Sequence, residues 1–130
     1  MRLFFLYLLV NPLFSIGQIN DNFTDGDFSS NPLWIGDISE YNINISSQLQ
    51  LNYTVAGTSY LCTSNLLGSL DDIEWQFYIK QSFSPSSNNY GRVYLVSDQQ
   101  NIEGSLNGYY LQFGEAGNND AVELFRQTGS

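Results

Sequence analysis

The densest set of hard oxygen ligands in the chain is Asp21-Asn22-Phe23-Thr24-Asp25-Gly26-Asp27-Phe28, followed by Asn31-Pro32-Leu33-Trp34-Ile35-Gly36-Asp37. Calcium takes about six to eight oxygens, and Asp25 and Asp27 on either side of Gly26 offer two carboxylates across a tight turn. Asp21 and backbone carbonyls would complete such a shell. The spacing is not that of an EF-hand, because the closing Glu is missing. The same residue types also build Asx turns, in which a short side chain bonds to the backbone two residues on. Phe23, Phe28 and Trp34 would then cover one end of a fold. From sequence, calcium at Asp21, Asp25 and Asp27 and a plain Asx-rich turn both stand.

A second candidate is a polar strand face made of Glu74, Gln76, Tyr78, Arg92, Tyr94, Tyr110 and Gln112, with Lys80 at its margin. Tyrosine rings stack on the apolar side of a pyranose, and amide and charged groups bond its hydroxyls, so this mixture suits carbohydrate. A solvated face with cross-strand pairs has the same composition. Catalysis finds little support. Histidine is absent, which removes Ser-His-Asp and Cys-His chemistry and the common zinc sites. A retaining glycosidase needs two carboxylates about 5 to 5.5 Å apart, and Glu74 is followed at i+2 and i+4 by Gln76 and Tyr78. Asp71 and Asp72 read as a turn before that strand. Cys62 is the single cysteine, so no internal disulfide is available, and it reads as a small apolar residue. The triplets Asn22-Phe23-Thr24, Asn44-Ile45-Ser46 and Asn52-Tyr53-Thr54 match the N-glycosylation sequon, a frequent chance match in an Asn-rich chain.

The elements that must position these groups are strands. Period-two alternation recurs along the chain, and no window carries a sustained helical period. It is clearest in Ile73-Glu74-Trp75-Gln76-Phe77-Tyr78-Ile79-Lys80, which places Ile73, Trp75, Phe77 and Ile79 on one face and the polar residues on the other. Tyr41–Ile45, Leu49–Tyr53, Arg92–Val96, Tyr109–Phe113 and Val122–Arg126 read the same way. Between them lie Ser46-Ser47 and runs 84–89, 103–108 and 115–120, all rich in Gly, Asn and Ser, which favour turns by tolerating φ > 0 or by bonding locally. The expected fold is all-β, an antiparallel β-sandwich occupying residues 18–130. Val122 to Gln127 reads as a strand needing neighbours, so the sandwich is expected to continue beyond Ser130.

The first residues set the compartment. Met1-Arg2 precedes the apolar run Leu3 to Val10, which Asn11-Pro12 interrupts and Leu13-Phe14 resumes, and Ser15-Ile16-Gly17 supplies small residues for cleavage before Gln18. Residues 1–17 therefore read as a signal peptide, the apolar stretch falling short of the roughly 20 residues that span a bilayer. No transmembrane segment is expected after cleavage. The remainder holds Lys80, Arg92 and Arg126 against all 13 carboxylates. Nucleic acid is excluded as a partner on this balance, because phosphate binding needs clustered cations. Cations, neutral sugars and basic surfaces remain.

The segments Asp21-Asn22-Phe23, Asp25-Gly26-Asp27-Phe28, Asn31-Pro32, Trp34 and Gly36-Asp37 resemble the N-terminal module of secreted surface proteins of Bacteroidetes-type bacteria. Leu49-Gln50-Leu51-Asn52, Ala56-Gly57-Thr58-Ser59-Tyr60-Leu61, Phe83–Tyr90 and Gly108-Tyr109-Tyr110 extend the likeness over the mature chain. The resemblance implies a concanavalin A-like or laminin-G-like jelly roll, often joined to a lamin-tail domain and a sorting signal for type IX secretion. The glycosidases on that fold carry a Glu-x-Asp-x-x-Glu strand motif, which this sequence lacks. The resulting expectation is a secreted or cell-surface, non-catalytic module that binds glycans or serves adhesion. The alternatives are a purely structural N-terminal domain of a large exported protein, or the non-catalytic portion of an exported hydrolase.

Overall fold

The computed structural model describes residues 19–115 and 122–130. The signal-peptide expectation for 1–17 and most of the expected turn at 115–120 fall outside them. The described residues form β1 (Trp34–Gly36), a 3-10 turn (Ile38–Glu40), β2 (Tyr41–Ile43), β3 (Leu49–Leu51), β4 (Leu61–Thr63), β5 (Gly91–Ser97), β6 (Leu106–Phe113) and β7 (Val122–Gly129). The architecture is all-β, and every pairing is antiparallel: β1 with β4, β2 with β3, and a three-stranded sheet in the order β5-β6-β7.

Local chemistry accounts for the small pairs. Between β2 and β3 the Asn44 side-chain oxygen accepts from the backbone N–H groups of Ser46 and Gln48, and the Ser47 N–H donates to the Asn44 carbonyl. That Asx-type closure brings Tyr41 opposite Leu51 and Ile43 opposite Leu49. Against the 3-10 turn, the Tyr60 N–H donates to the Asp37 carboxylate at 3.0 Å, and the Tyr41 hydroxyl to the Ser59 carbonyl at 2.9 Å. A Ser59–Glu40 side-chain bond adds to them. Together these bonds tie β2 to the segment leading into β4. Burial and the charges of Asp37 and Glu40 push the Tyr41 phenol up to about 12.

In the main sheet β6 and β7 pair without interruption from Leu106↔Gly129 to Phe113↔Val122, and β5 pairs with β6 except for a shift between Tyr94 and Val96 that leaves Leu95 as a bulge. Alternation then sorts the side chains. Arg92, Tyr94, Gly108, Tyr110, Gln112, Glu123, Phe125 and Gln127 share one face, and Val93, Leu111, Phe113, Val122 and Leu124 share the other.

The expected strands Arg92–Val96, Tyr109–Phe113 and Val122–Arg126 lie inside β5, β6 and β7. Tyr41–Ile45 and Leu49–Tyr53 contract to β2 and β3. The expected strand Ile73–Lys80 is corrected: it joins no sheet. It passes β5 in the opposite direction, with the Trp75 indole N–H donating to the Leu95 carbonyl at 3.0 Å and the Gln81 amide to the Phe113 carbonyl at 3.3 Å. The physical reason is the bulge. The Leu95 carbonyl accepts from the Trp75 side chain instead of a strand N–H, so no regular ladder forms along that edge. The expected apolar face is itself largely open: Ile73 is half-buried, but Trp75, Phe77 and Ile79 are exposed, though less so than Tyr78 at 78 %. β1 and β4 were not legible as strands, since three residues carry no period.

Among the described residues, Leu106 is the one fully buried apolar side chain, with Gly108 buried inside β6 and Gly114 buried just past its end. On the apolar face of the main sheet, Val122 is 57 % and Leu124 63 % exposed. No described helix is long and apolar enough to cross a membrane.

Candidate ligand face

The register of the main sheet builds the site. Arg92, Gln112 and Glu123 stand in one row across β5, β6 and β7, and Tyr94, Tyr110 and Phe125 in the next. Directly opposed side chains in a sheet sit close enough to interact, and here they do. The Tyr94 and Tyr110 rings are 4.9 Å apart between centroids and tilted, and those of Tyr110 and Phe125 are 5.2 Å apart and stacked at 14°. The Arg92 guanidinium lies 4.7 Å from the Tyr110 ring centre and 4.8 Å from that of Tyr90, a cation held between two aromatic groups. Its Nε donates to the Gln112 side-chain oxygen at 3.0 Å.

The amides lock the row from both ends. The Tyr94 hydroxyl donates to Gln127 Oε1 at 2.7 Å, while Gln127 Nε2 donates to the Gly129 carbonyl at 3.0 Å. Gln112 Nε2 donates to the Gly114 carbonyl at 3.2 Å. Burial raises the Tyr94 phenol, and the positive charge of Arg92 opposes that rise. At the Glu123 end, a shared hydrogen bond with Glu123 and then its charge push the Glu115 carboxyl above the usual range.

Of the residues singled out from sequence, Arg92, Tyr94, Tyr110 and Gln112 are brought together on this face. Glu74, Gln76 and Tyr78 are not: they lie exposed on the 73–80 segment, and among the described residues no hydrogen bond joins them to the row. Sequence reasoning missed Tyr90, Phe125, Gln127 and the Glu115–Glu123 pair. The pattern of Val122–Arg126 held Phe125 in plain sight, but only the β6–β7 register puts it against Tyr110.

In the acidic loop each carboxylate serves a local donor. Asp21 accepts from the Phe23 N–H at 2.9 Å and from the Trp34 indole at 2.8 Å; Asp25 accepts from the Asp27 N–H at 3.1 Å. Asp27 accepts from the N–H and hydroxyl of Ser29, both at 2.7 Å, and from the Ser30 hydroxyl at 2.6 Å. The Ser30 and Ser29 bonds hold the Asp27 carboxyl near 2, well below its usual 3.8. The Phe23 and Trp34 rings pack at 6.1 Å. This is the Asx-turn arrangement, and among the described residues no group of three or more His, Cys, Asp or Glu is placed to hold a metal ion.

No protein-family model, no curated protein and no solved structure matches the chain.

Proposed function

We propose that the chain is an exported, non-catalytic β module that binds carbohydrate at the Arg92–Tyr94–Tyr110–Gln112 face, delivered by the leader in residues 1–17. On this reading its sheets belong to a sandwich of the concanavalin A-like kind that the resemblance implies. The carrying observation is the arrangement of Arg92 between the Tyr90 and Tyr110 rings, beside Tyr94 and Gln112. It offers a fixed cation, ring edges and amides within one patch, the mixture that apolar sugar faces and hydroxyls engage together. Glycan-array binding by the secreted product tests it. The wild type should bind at least one glycan class, and Arg92→Ala should weaken that binding about tenfold, a loss of ~1.4 kcal/mol. Silence toward every glycan, with calcium and with chelator, would remove the proposal, as would binding indifferent to Arg92→Ala.

A second reading, a purely structural module of a larger exported protein, draws on the same face. Gln112 and Gln127 spend their amides on backbone carbonyls and on Arg92 and Tyr94, so much of the polar surface is engaged in holding the sheet. The array experiment separates the two. Calcium at Asp21, Asp25 and Asp27 is a further proposal with its own readout: a ligand held only by the folded state raises the melting temperature, so millimolar calcium against chelator decides it.

A further inference from the structure

Of the sheet residues on the ligand face, Arg92 is the one cation. The chain holds 13 Asp and Glu against four Lys and Arg, yet among the described residues no carboxylate pairs with Arg92. Its Nε donates to a neutral acceptor, the Gln112 oxygen at 3.0 Å, and the centres of the Tyr110 and Tyr90 rings lie 4.7 and 4.8 Å from the guanidinium carbon. Gln112 thereby takes one of the five N–H donors. Glu123 stands in the same row but bonds to Glu115 instead, and its strand runs two spacings, about 10 Å, from β5.

Water satisfies the donors of any exposed arginine, but water does not ask for a fixed direction. Here an amide and two rings hold the fork, and Gln112 is itself held by the Gly114 carbonyl at 3.2 Å. A cation oriented in advance has less freedom to lose when a partner arrives, which favours a partner of matching shape. We propose that the ligand of this face carries a carboxylate: a uronic acid, whose two carboxylate oxygens accept from the terminal amino groups of Arg92 beside the exposed Tyr90 ring. The inference rests on the carbohydrate-binding reading and adds to it the charge and shape of the group recognised.

Two further considerations narrow the anion. A carboxylate concentrates its charge on two coplanar oxygens, which suits two parallel N–H bonds, whereas a sulfate ester spreads the same charge over three. The net charge of −9 acts on the ligand as a whole: it opposes a dense polyanion, so the acid is a single residue among neutral sugars. That opposition is weak at the contact itself, because salt screens charges beyond about 8 Å at physiological strength. Groups touching Arg92 therefore decide the contact, and those are an amide and two rings.

An array of oligosaccharides ending in galacturonic or glucuronic acid, beside counterparts ending in galactose or glucose that differ at one carbon, tests this on the secreted chain. At least one acid should bind about tenfold more tightly than its neutral counterpart. Arg92→Gln should bring that pair to within about twofold, and Arg92→Lys, which keeps the charge without the fork, should lose most of the gap. Binding of the neutral sugar shows that the variants are folded. Arg126→Gln makes the same change of net charge on the opposite face of β7 and should leave the gap intact. Equal binding of acid and neutral sugar, or tighter binding of the 6-sulfated sugar than of the acid, would overturn the proposal and leave the carbohydrate reading standing. No binding to any glycan would remove both. A gap lost in Arg126→Gln as fully as in Arg92→Gln would assign it to net charge and overturn the role of the Arg92 fork.

Discussion

Gly108→Ala is the sharpest probe of how β5 and β6 are held at the bulge. Gly108 pairs with Ser97, one step past the register shift. A Cβ there would fall inside contact distance of the Val96 carbonyl oxygen, with the Leu106 Cδ1 at 3.2 Å and the Ser97 Cα at 3.3 Å. Carbon and oxygen of neighbouring strands ordinarily approach to about 3.3–3.6 Å. The two strands must therefore separate, and because the obstacle is backbone, no rotamer relieves it. Overpacking of this kind costs ~1–3 kcal/mol, and a weakened ladder bond adds ~1 kcal/mol. Against this, exchanging Gly for Ala within a strand recovers only about 0.5–1 kcal/mol of chain entropy. The steric effect wins, and the net loss is about 2 kcal/mol. For a domain near 100 residues that lowers Tm by about 10 °C. Denaturant titration should show a lower midpoint at unchanged slope, which marks lost stability without a changed unfolded state. Gly57→Ala, with nothing within 4 Å of the added carbon, is the control and should be near neutral. A Gly108→Ala midpoint equal to that of Gly57→Ala would refute the strand contact at the bulge.

Three further outcomes follow from the hydrogen bonds. Asp27 has its folded carboxyl near 2 against an ordinary 3.8, so it contributes stability above about 3.8 that is lost as the pH falls toward 2; in Asp27→Asn the acid loss of stability, followed by circular dichroism, should be shallower across that window. Glu115 has the opposite sign: its carboxyl is raised by Glu123, so it favours the fold below the usual carboxylate range and disfavours it above, and Glu115→Gln should raise Tm at neutral pH and leave it unchanged in acid. Burial raises the Cys62 thiol, whose Sγ–H donates to the Gln100 carbonyl with sulfur and oxygen 3.2 Å apart, so iodoacetamide at mildly alkaline pH should alkylate Cys62 more slowly in the folded chain than after denaturation.

What was legible from sequence divides along the range of the interaction. Alternation in 92–96, 109–113 and 122–126 marks strands because a half-buried strand needs period two, and the structure places all three in one sheet. The Asx chemistry of 21–30 and of Asn44 was legible for the same reason, since its donors lie two to four residues away. Ile73–Lys80 shows the limit. Its alternation is the cleanest in the chain, but whether it becomes a strand depends on the edge it must join, and Leu95 decides that from more than a dozen residues downstream. Glu74, Gln76 and Tyr78 therefore share no strand register with the Arg92–Tyr110 row. Phe125 and Gln127 entered it because of a hairpin register that no local pattern encodes.

The network also bears on which groups a ligand could use. Gln112 gives its oxygen to Arg92 and its nitrogen to Gly114, and Gln127 takes the Tyr94 proton. Recruiting either amide would break a bond worth ~1 kcal/mol before any gain. Arg92 and Tyr90 are exposed, and Arg92 is already oriented by Gln112 and by two rings. An oriented guanidinium loses less side-chain entropy on binding than a free one. On the proposed carbohydrate reading, recognition at this face would fall first on Arg92 and the open Tyr90 ring, while the amides set the geometry. On that reasoning Gln112→Ala acts on binding through Arg92: it should weaken the affinity of a ligand in wild type and do little in an Arg92→Ala background. A double-mutant cycle reads this directly, and additive losses would show that Gln112 touches the ligand itself.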